Sequence, residues 1–542
     1  MIGTQRAGSG CRRKRTVDAL CRTARDRDPW CADGDSRRLH RRGVDVRCLA
    51  PCATIDPAVS IRRALSFSYL DRYASLIVGF GASVVISRLL TPAEVGAFSV
   101  AMVLLGFLSP FRDFGATQFV IQSPVLDDDV LGTVRTLQLI LGVVLAGVIV
   151  VAAPWVADFY REPAIRGIML LMALNSLLLP FGALSTALLN REMKLMELAI
   201  VRFVGAVVSS GLSIVLAWFD HGPMSLAYGA LAGTLSSAIG AILFRPVRVP
   251  WQRPSSLSRV VRFGGAMTGT SLLGMVYASV AELALARMQG LAMSGLFGRA
   301  QGLVQLLERL LMEGAYGVAV PLFARQLREG RPVGPLYVRS VSLLTAVGWA
   351  LFGLTACLAE PVIRLLYGEK WMGSVPIAQA LCISLSIHAP NLLFSQPLIA
   401  MGRAKLVLQT AIWTTGVYAA IVLAGASHSL EGACTAIVVA AIVCTGPLLA
   451  TSRRQLQFSW RAMARALLHS ALVAACALVV PVLMLWYSDS STTLALLTIL
   501  LSSLGCLVGF IAAAVLTNHP TGQELRRMFD QRTGRQPETG IS

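Results

Sequence analysis

Charge is scarce in this chain. Asp, Glu, Lys and Arg supply 14% of its 542 residues, where an ordinary soluble domain carries roughly 25%. That deficit excludes a soluble enzyme of this length. Aromatic residues are also few, at 7%, which argues against a pocket of stacked rings such as a small-molecule exporter would use. No Walker loop, dinucleotide fingerprint, zinc-protease pair or nucleophile elbow occurs, so neither an ATP-driven pump nor a soluble-type hydrolase is expected. The 11 cysteines never pair as Cys-x-x-Cys. His40, Cys48 and Cys52 come nearest to a ligand set and lack a second pair, so no metal site and no disulfide framework is expected.

Apolar sequence, by contrast, is abundant. The chain is 55% hydrophobic with a mean hydropathy of +0.65. Fourteen apolar runs lie between about residue 73 and about residue 517, each near the ~20 residues that a helix needs to cross ~30 Å of hydrocarbon. Backbone groups inside lipid must be satisfied within their own segment, so the runs are helices and the protein is all-α and polytopic. The expected plan has a basic, Cys-containing tail at 1–62, disordered and cytoplasmic, and a first six-helix bundle at 63–245. A basic linker at 246–262, a second six-helix bundle at 263–451, an appended pair of helices at 452–518 and a short tail at 519–542 follow. Two six-helix halves suit transporters built from related bundles around a midplane site.

The net charge of +19 would suggest nucleic acid in a soluble chain. Its placement says otherwise. Lys and Arg concentrate after even-numbered spans, as at Arg245, Arg248 and Arg253 or Arg325, Arg328 and Arg331, and are sparse after odd-numbered ones. By the positive-inside rule both termini face the cytoplasm, and no nucleic-acid partner is expected.

A charge at mid-bilayer costs at least ~2.5–3.5 kcal/mol, so ionisable residues within spans are the candidate functional groups. Span 8 (292–320) carries Arg299, Glu308, Arg309 and Glu313. Arg309 and Glu313 are four apart and suit an internal ion pair, whereas Arg299 has no local partner in sequence and is assigned to the cavity. Span 7 (263–286) contains Glu282, for which pairing with Arg287 or another arginine is the alternative to a cavity role. Arg287 and Arg72, which enters span 1, are further cavity candidates, and Arg88, closing span 1, reads as an interfacial anchor. Asn175, His388, Asn391 and Gln396 are weaker cavity candidates, since such groups commonly bond between helices. Trp155, Trp371 and Trp486 near span ends fit an aromatic belt.

Four segments carry a resemblance. Span 1 closes as Arg88-Leu89-Leu90-Thr91-Pro92-Ala93-Glu94-Val95-Gly96, and Asp113-Phe114-Gly115 with Val120-Ile121-Gln122 follows span 2. Leu189-Asn190-Arg191-Glu192-Met193-Lys194 follows span 4, and Glu360-Pro361 through Arg364-Leu365-Leu366-Tyr367-Gly368-Glu369-Lys370-Trp371 follows span 9. In order and spacing they resemble the bacterial polysaccharide flippases of the multidrug/oligosaccharidyl-lipid/polysaccharide exporter superfamily. Two stretches depart from that pattern. Span 7 reads Glu282-Leu283-Ala284-Leu285-Ala286-Arg287 where the family has Asn and Asp before Gly-Arg, and Phe297-Gly298-Arg299-Ala300-Gln301 lacks the family's tyrosines.

The resemblance implies a transporter, not an enzyme, in the bacterial inner membrane. It would move an undecaprenyl-pyrophosphate-linked oligosaccharide between leaflets by alternating access. Membrane lipids would surround it, and a polysaccharide polymerase and assembly proteins are the partners implied. No cofactor is implied, and a proton or sodium gradient is the coupling to be tested. The other readings are a multidrug-type antiporter of the same superfamily, and a non-transporting assembly partner or glycosyltransferase. No loop is long enough for a sugar-nucleotide domain.

Overall fold

The computed structural model describes residues 74–113, 120, 128–247, 257–487, 492–524 and 526. The basic tail at 1–62 and Arg72 therefore lie outside the described residues, as does the side chain of Glu313. Among the described residues every regular element is helical. Helix α1 covers Ala74–Leu89. Then come α2 (Pro92–Asp113), α3 (Asp128–Tyr160), α4 (Pro163–Arg191), α5 (Leu195–Trp218), α6 (Met224–Phe244) and α7 (Leu257–Met288). The second part holds α8 (Leu291–Arg328), α9 (Val333–Leu366), α10 (Ser374–His388), α11 (Ser395–Ala400), α12 (Ala404–Ala426), α13 (Leu430–Leu456), α14 (Trp460–Tyr487) and α15 (Thr492–Leu516).

Eleven helical spans among the described residues are long and apolar enough to cross a membrane, so this is a multi-pass membrane protein. The sequence suggested fourteen. Three fall outside the eleven: α1, described over a shorter stretch, and α7 and α8. Charges explain α8, whose 38 residues include Arg299, Glu308, Arg309 and Glu313. Large apolar side chains face outward, Val151 at 68%, Leu500 at 65% and Trp486 at 88% exposure among them. A soluble protein would bury such residues; here they face lipid.

Local sequence rules set the helix ends. Thr91 and Glu94 form a reciprocal capping box at the start of α2: the Thr91 N–H donates to Glu94 Oε2 (2.8 Å) and the Glu94 N–H to Thr91 Oγ1 (3.4 Å). Pro92, which has no N–H to leave unsatisfied, occupies the first turn. Gly290 separates α7 from α8 at φ +96, a conformation open to glycine. The tenth apolar run is broken into α10, a 3-10 turn at Ala389–Asn391 and α11. Pro390 cannot donate to the Ser386 carbonyl one turn back; that carbonyl accepts from the Ala389 N–H and from Trp349 Nε1 at 2.6 Å. Thr445 Oγ1 donates to the neighbouring Ile387 carbonyl at 3.4 Å.

One apolar core spans both parts of the chain, joining Ile86 of α1 and Leu90 just past it to Leu285, Phe297, Val304, Phe352, Ile363 and Ile437. Helices α2 and α8 touch backbone to backbone: a Cβ on Gly96 would collide with the Leu291 carbonyl, and one on Gly295 with that of Pro92.

Candidate functional site

The closing motif of α1 and the turn between α9 and α10 lock together. Arg88 Nη2 donates to the Leu365 carbonyl at 2.6 Å and its Nε to that of Leu366 at 3.3 Å. In return Lys370 Nζ donates to the Arg88 carbonyl at 2.8 Å, and Trp371 Nε1 to that of Ser87 at 2.7 Å. Two corrections follow. Arg88 clamps the end of α1 to the end of α9 and is not an interfacial anchor alone, and Trp371 is fully buried, not part of an aromatic belt. Trp155 and Trp486 remain well exposed. The other two motif segments also meet, at the opposite, basic end, where Arg191 Nη1 donates to the Val120 carbonyl at 2.6 Å. Beside it Glu192 bonds Lys194 (2.9 Å) and Arg245 (2.7 Å). Those hydrogen bonds hold the Glu192 carboxyl below its ordinary range.

Directly under the lock sits Arg299. Its guanidinium lies over the rings of Trp371 (5.4 Å) and Tyr367 (5.9 Å), and Nη1 donates to Ser83 Oγ on α1. The side chain without a local partner in sequence thus has three distant ones, Ser83 on α1 and the two rings of the turn after α9, which sequence spacing cannot reveal. Its Nε is buried with no hydrogen-bond partner among the described residues.

Arg299 and Ser83 line a cavity of about 320 Å³ together with Ser99, Ser209, Ser210 and Ser213. A neighbouring cavity of about 580 Å³ shares Ser209 and Ala230 with it and adds Arg112, Thr186, Thr234 and Ser237. A third, of about 210 Å³, shares Arg112 and reaches Asn175 and Ser176. A polar track of hydroxyls and arginines therefore runs through the first half, from beneath the lock toward the basic end. Small residues let α5 and α6 close tightly beside it: Gly205, Gly229 and Gly233 stand against Ser237, Ser213 and Ser209, where a Cβ would clash.

Glu282 is buried behind this track. It accepts from Ser99 Oγ at 2.5 Å and Ser294 Oγ at 3.4 Å. Pairing with Arg287 is not what the structure has. Five residues along a helix turn the two side chains roughly 140° apart, and the exposed Arg287 lies over the Phe159 ring at 4.8 Å. Farther along α8, Glu308 is half-buried and Arg309 exposed.

The other candidates belong elsewhere. His388 and Asn391 line a separate cavity of about 520 Å³ in the second half, with Tyr277, Thr410 and Thr414. Asn391 Nδ2 donates to the Thr445 carbonyl at 3.2 Å, while its Oδ1 is buried without a partner among the described residues. Gln396, on α11, is half-buried and lines none of the cavities described here. The structure thus joins Arg299 and Asn175 along one track and leaves His388, Asn391 and Gln396 apart from it. Missed in sequence were Tyr367, Trp371 and the serines. The first two stood in the motif after span 9; of the serines, Ser83 and Ser99 stand singly in apolar helices, whereas Ser209, Ser210 and Ser213 cluster in α5 and were passed over.

A polytopic helical fold with an internal polar track, sealed at one end, defines a membrane transporter. The chain belongs to the polysaccharide biosynthesis protein family, whose pattern matches residues 85–376. It is 23% identical over 399 residues to the lipopolysaccharide biosynthesis protein WzxC of Escherichia coli K12, covering 70% of this chain and 80% of that one. It is 24% identical over 374 residues to the succinoglycan biosynthesis transport protein ExoT of Rhizobium meliloti 1021, covering 67% and 74%. Among solved structures its fold is similar to the lipid II flippase MurJ in an inward closed conformation, with a TM-score of 0.67 at 13% identity, over 83% of this chain and 98% of that one.

Proposed function

We propose that this protein is a flippase that carries an undecaprenyl-pyrophosphate-linked oligosaccharide from the cytoplasmic to the periplasmic leaflet of the bacterial inner membrane. The observation that carries the reading is the track beneath the lock. Its hydroxyls suit a saccharide that could not cross ~30 Å of hydrocarbon unaided. Arg299, with a planar fork of donors, suits a pyrophosphate. Family membership and the names of WzxC, ExoT and MurJ support the substrate class.

In this proposal the basic end faces the cytoplasm, with both termini there, and the Arg88–Lys370–Trp371 lock closes the periplasmic end. Alternating access would break the lock and close the basic end. Coupling to a proton or sodium gradient is part of the proposal. Glu282 would carry it, being the one fully buried carboxylate among the described residues. A polysaccharide polymerase and assembly proteins would receive the product.

The test is deletion followed by analysis of lipid-linked saccharides. Accumulation of complete oligosaccharide on the cytoplasmic leaflet is expected. Unchanged export, or accumulation of incomplete oligosaccharide, would sink the proposal and point instead to a partner or transferase role.

A further inference from the structure

At the basic end, away from the track, a cavity of about 470 Å³ opens where α9, the α13–α14 turn, α14 and the segment after α15 meet. Its lining includes Arg339 and Ser342 of α9, Phe458 and Ser459 of the turn, and Arg465 and His469 of α14. It shares no lining residue with the candidate cavity. Arg465 and His469 are four apart and present one face of the helix. Both are exposed, and neither has an anionic partner among the described residues. Among the described residues Arg339 bonds through Nη2 to Glu524 Oε1 (2.6 Å), which leaves the rest of its fork for another acceptor. Ser459 accepts the Ala462 N–H at 3.1 Å and so caps α14, whose positive end joins the same lining.

What adjoins the cavity names the occupant. Arg453 lies over the Trp460 ring at 5.3 Å, and Trp460 is partly exposed, as expected at the level of lipid headgroups. Two to three turns deeper, the same helix exposes Leu468 at 65% and Leu472 at 55%. A cationic cup above an exposed apolar strip matches an amphiphile with an anionic head. A free anion would use the cup and leave the strip idle.

The geometry points to a binding site for an anionic glycerophospholipid, its phosphodiester held by Arg339, Arg465 and His469 and its acyl chains laid along Leu468 and Leu472. Such a lipid bridges α9 to the appended pair α14–α15, and the site holds whatever the track carries.

The full chain, purified in detergent, is tested by native mass spectrometry and thermal unfolding with phosphatidylglycerol, phosphatidylcholine, polyprenyl phosphate or inorganic phosphate. Phosphatidylglycerol is expected to stay bound and raise Tm, and phosphatidylcholine and inorganic phosphate are not. In the Arg465→Ala/His469→Ala variant its affinity should fall about tenfold, the loss expected on removing charge-assisted contacts. Both side chains are exposed, so the variant should fold, and Arg461→Ala on the same helix is the control that keeps the Tm rise. Equal stabilisation by phosphatidylcholine overturns the site, as does a rise retained in the double variant. Stabilisation by inorganic phosphate alone reduces it to an anion site, and stronger retention of polyprenyl phosphate gives it to the substrate's carrier. Either result overturns the phospholipid assignment.

Discussion

Arg299 shows how one side chain can serve both substrate and structure. Its charge sits over Trp371 and Tyr367 and against Ser83, contacts worth about 0.5–2 kcal/mol as cation–π pairs. If that were its whole role, Arg299→Lys would preserve much of it, because an ammonium also sits well over a ring. A pyrophosphate distinguishes the two side chains, since only the planar fork binds it bidentately. We therefore expect Arg299→Ala to lower export about tenfold or more at normal membrane level, and Arg299→Lys to recover only part of it. Quantified export against immunoblotted membrane protein decides this. Full recovery by lysine would leave Arg299 a packing residue. Glu282 invites a parallel test. Glu282→Gln keeps an oxygen for the Ser99 and Ser294 donors but cannot release a proton, so export should stop while folding persists. Continued export would remove Glu282 from coupling.

Single elements explain why several motif residues are what they are. Thr91, Pro92 and Glu94 start α2, and Gly96 then lets α2 meet α8 backbone to backbone at Gly295. Gly96→Val should therefore cost about 1–3 kcal/mol or more of overpacking, read as loss of folded protein in the membrane. The appended pair depends on a different device. His519, just past α15 and fully buried, accepts the Thr521 N–H on Nδ1 (3.2 Å). Its ring proton is thus on Nε2, facing Ser342 Oγ (2.9 Å) and Ser470 Oγ (3.2 Å). Burial, and next His469, hold His519 below the ordinary histidine range. The sign follows: the unfolded chain binds the proton more readily, so this stabilisation is full above the unfolded value of about 6.5 and is lost as pH falls through the lower folded one. Thermal unfolding from pH 8 down to 5 should show Tm falling, and His519→Gln should flatten that part of the slope. An unaltered slope in the variant would place the pH dependence elsewhere.

At the scale of the whole molecule, the helical class and most spans were legible because lipid imposes one rule on every segment. The count was less so: α1 is described over a shorter stretch, and α8 mixes charged and polar residues into its length beside a polar interior. Arg299 and Glu282 were legible as charges in apolar runs, but their partners were not: Ser83 and Ser99 stand on other helices and Tyr367 and Trp371 in the turn after α9, and spacing along one chain says nothing about them. Motif order revealed the family without revealing that the motifs pair in space, Arg88 with Leu365 and Arg191 with Val120. That pairing makes the last prediction possible. If the Arg88–Lys370–Trp371 contact is a gate, it must open in every transport cycle, whereas a structural contact at the same place can stay closed. In a background without native cysteines, Arg88→Cys and Lys370→Cys are introduced together and bridged with a reducible bifunctional thiol reagent. Export should stop on bridging and return on reduction, while each single variant treated alike continues to export. The bridging reagent should also be membrane-impermeant and act from the periplasm of intact cells, because the proposed topology puts this end outside. Export that persists through complete bridging would make the lock a permanent joint and require the cavity to open by another route.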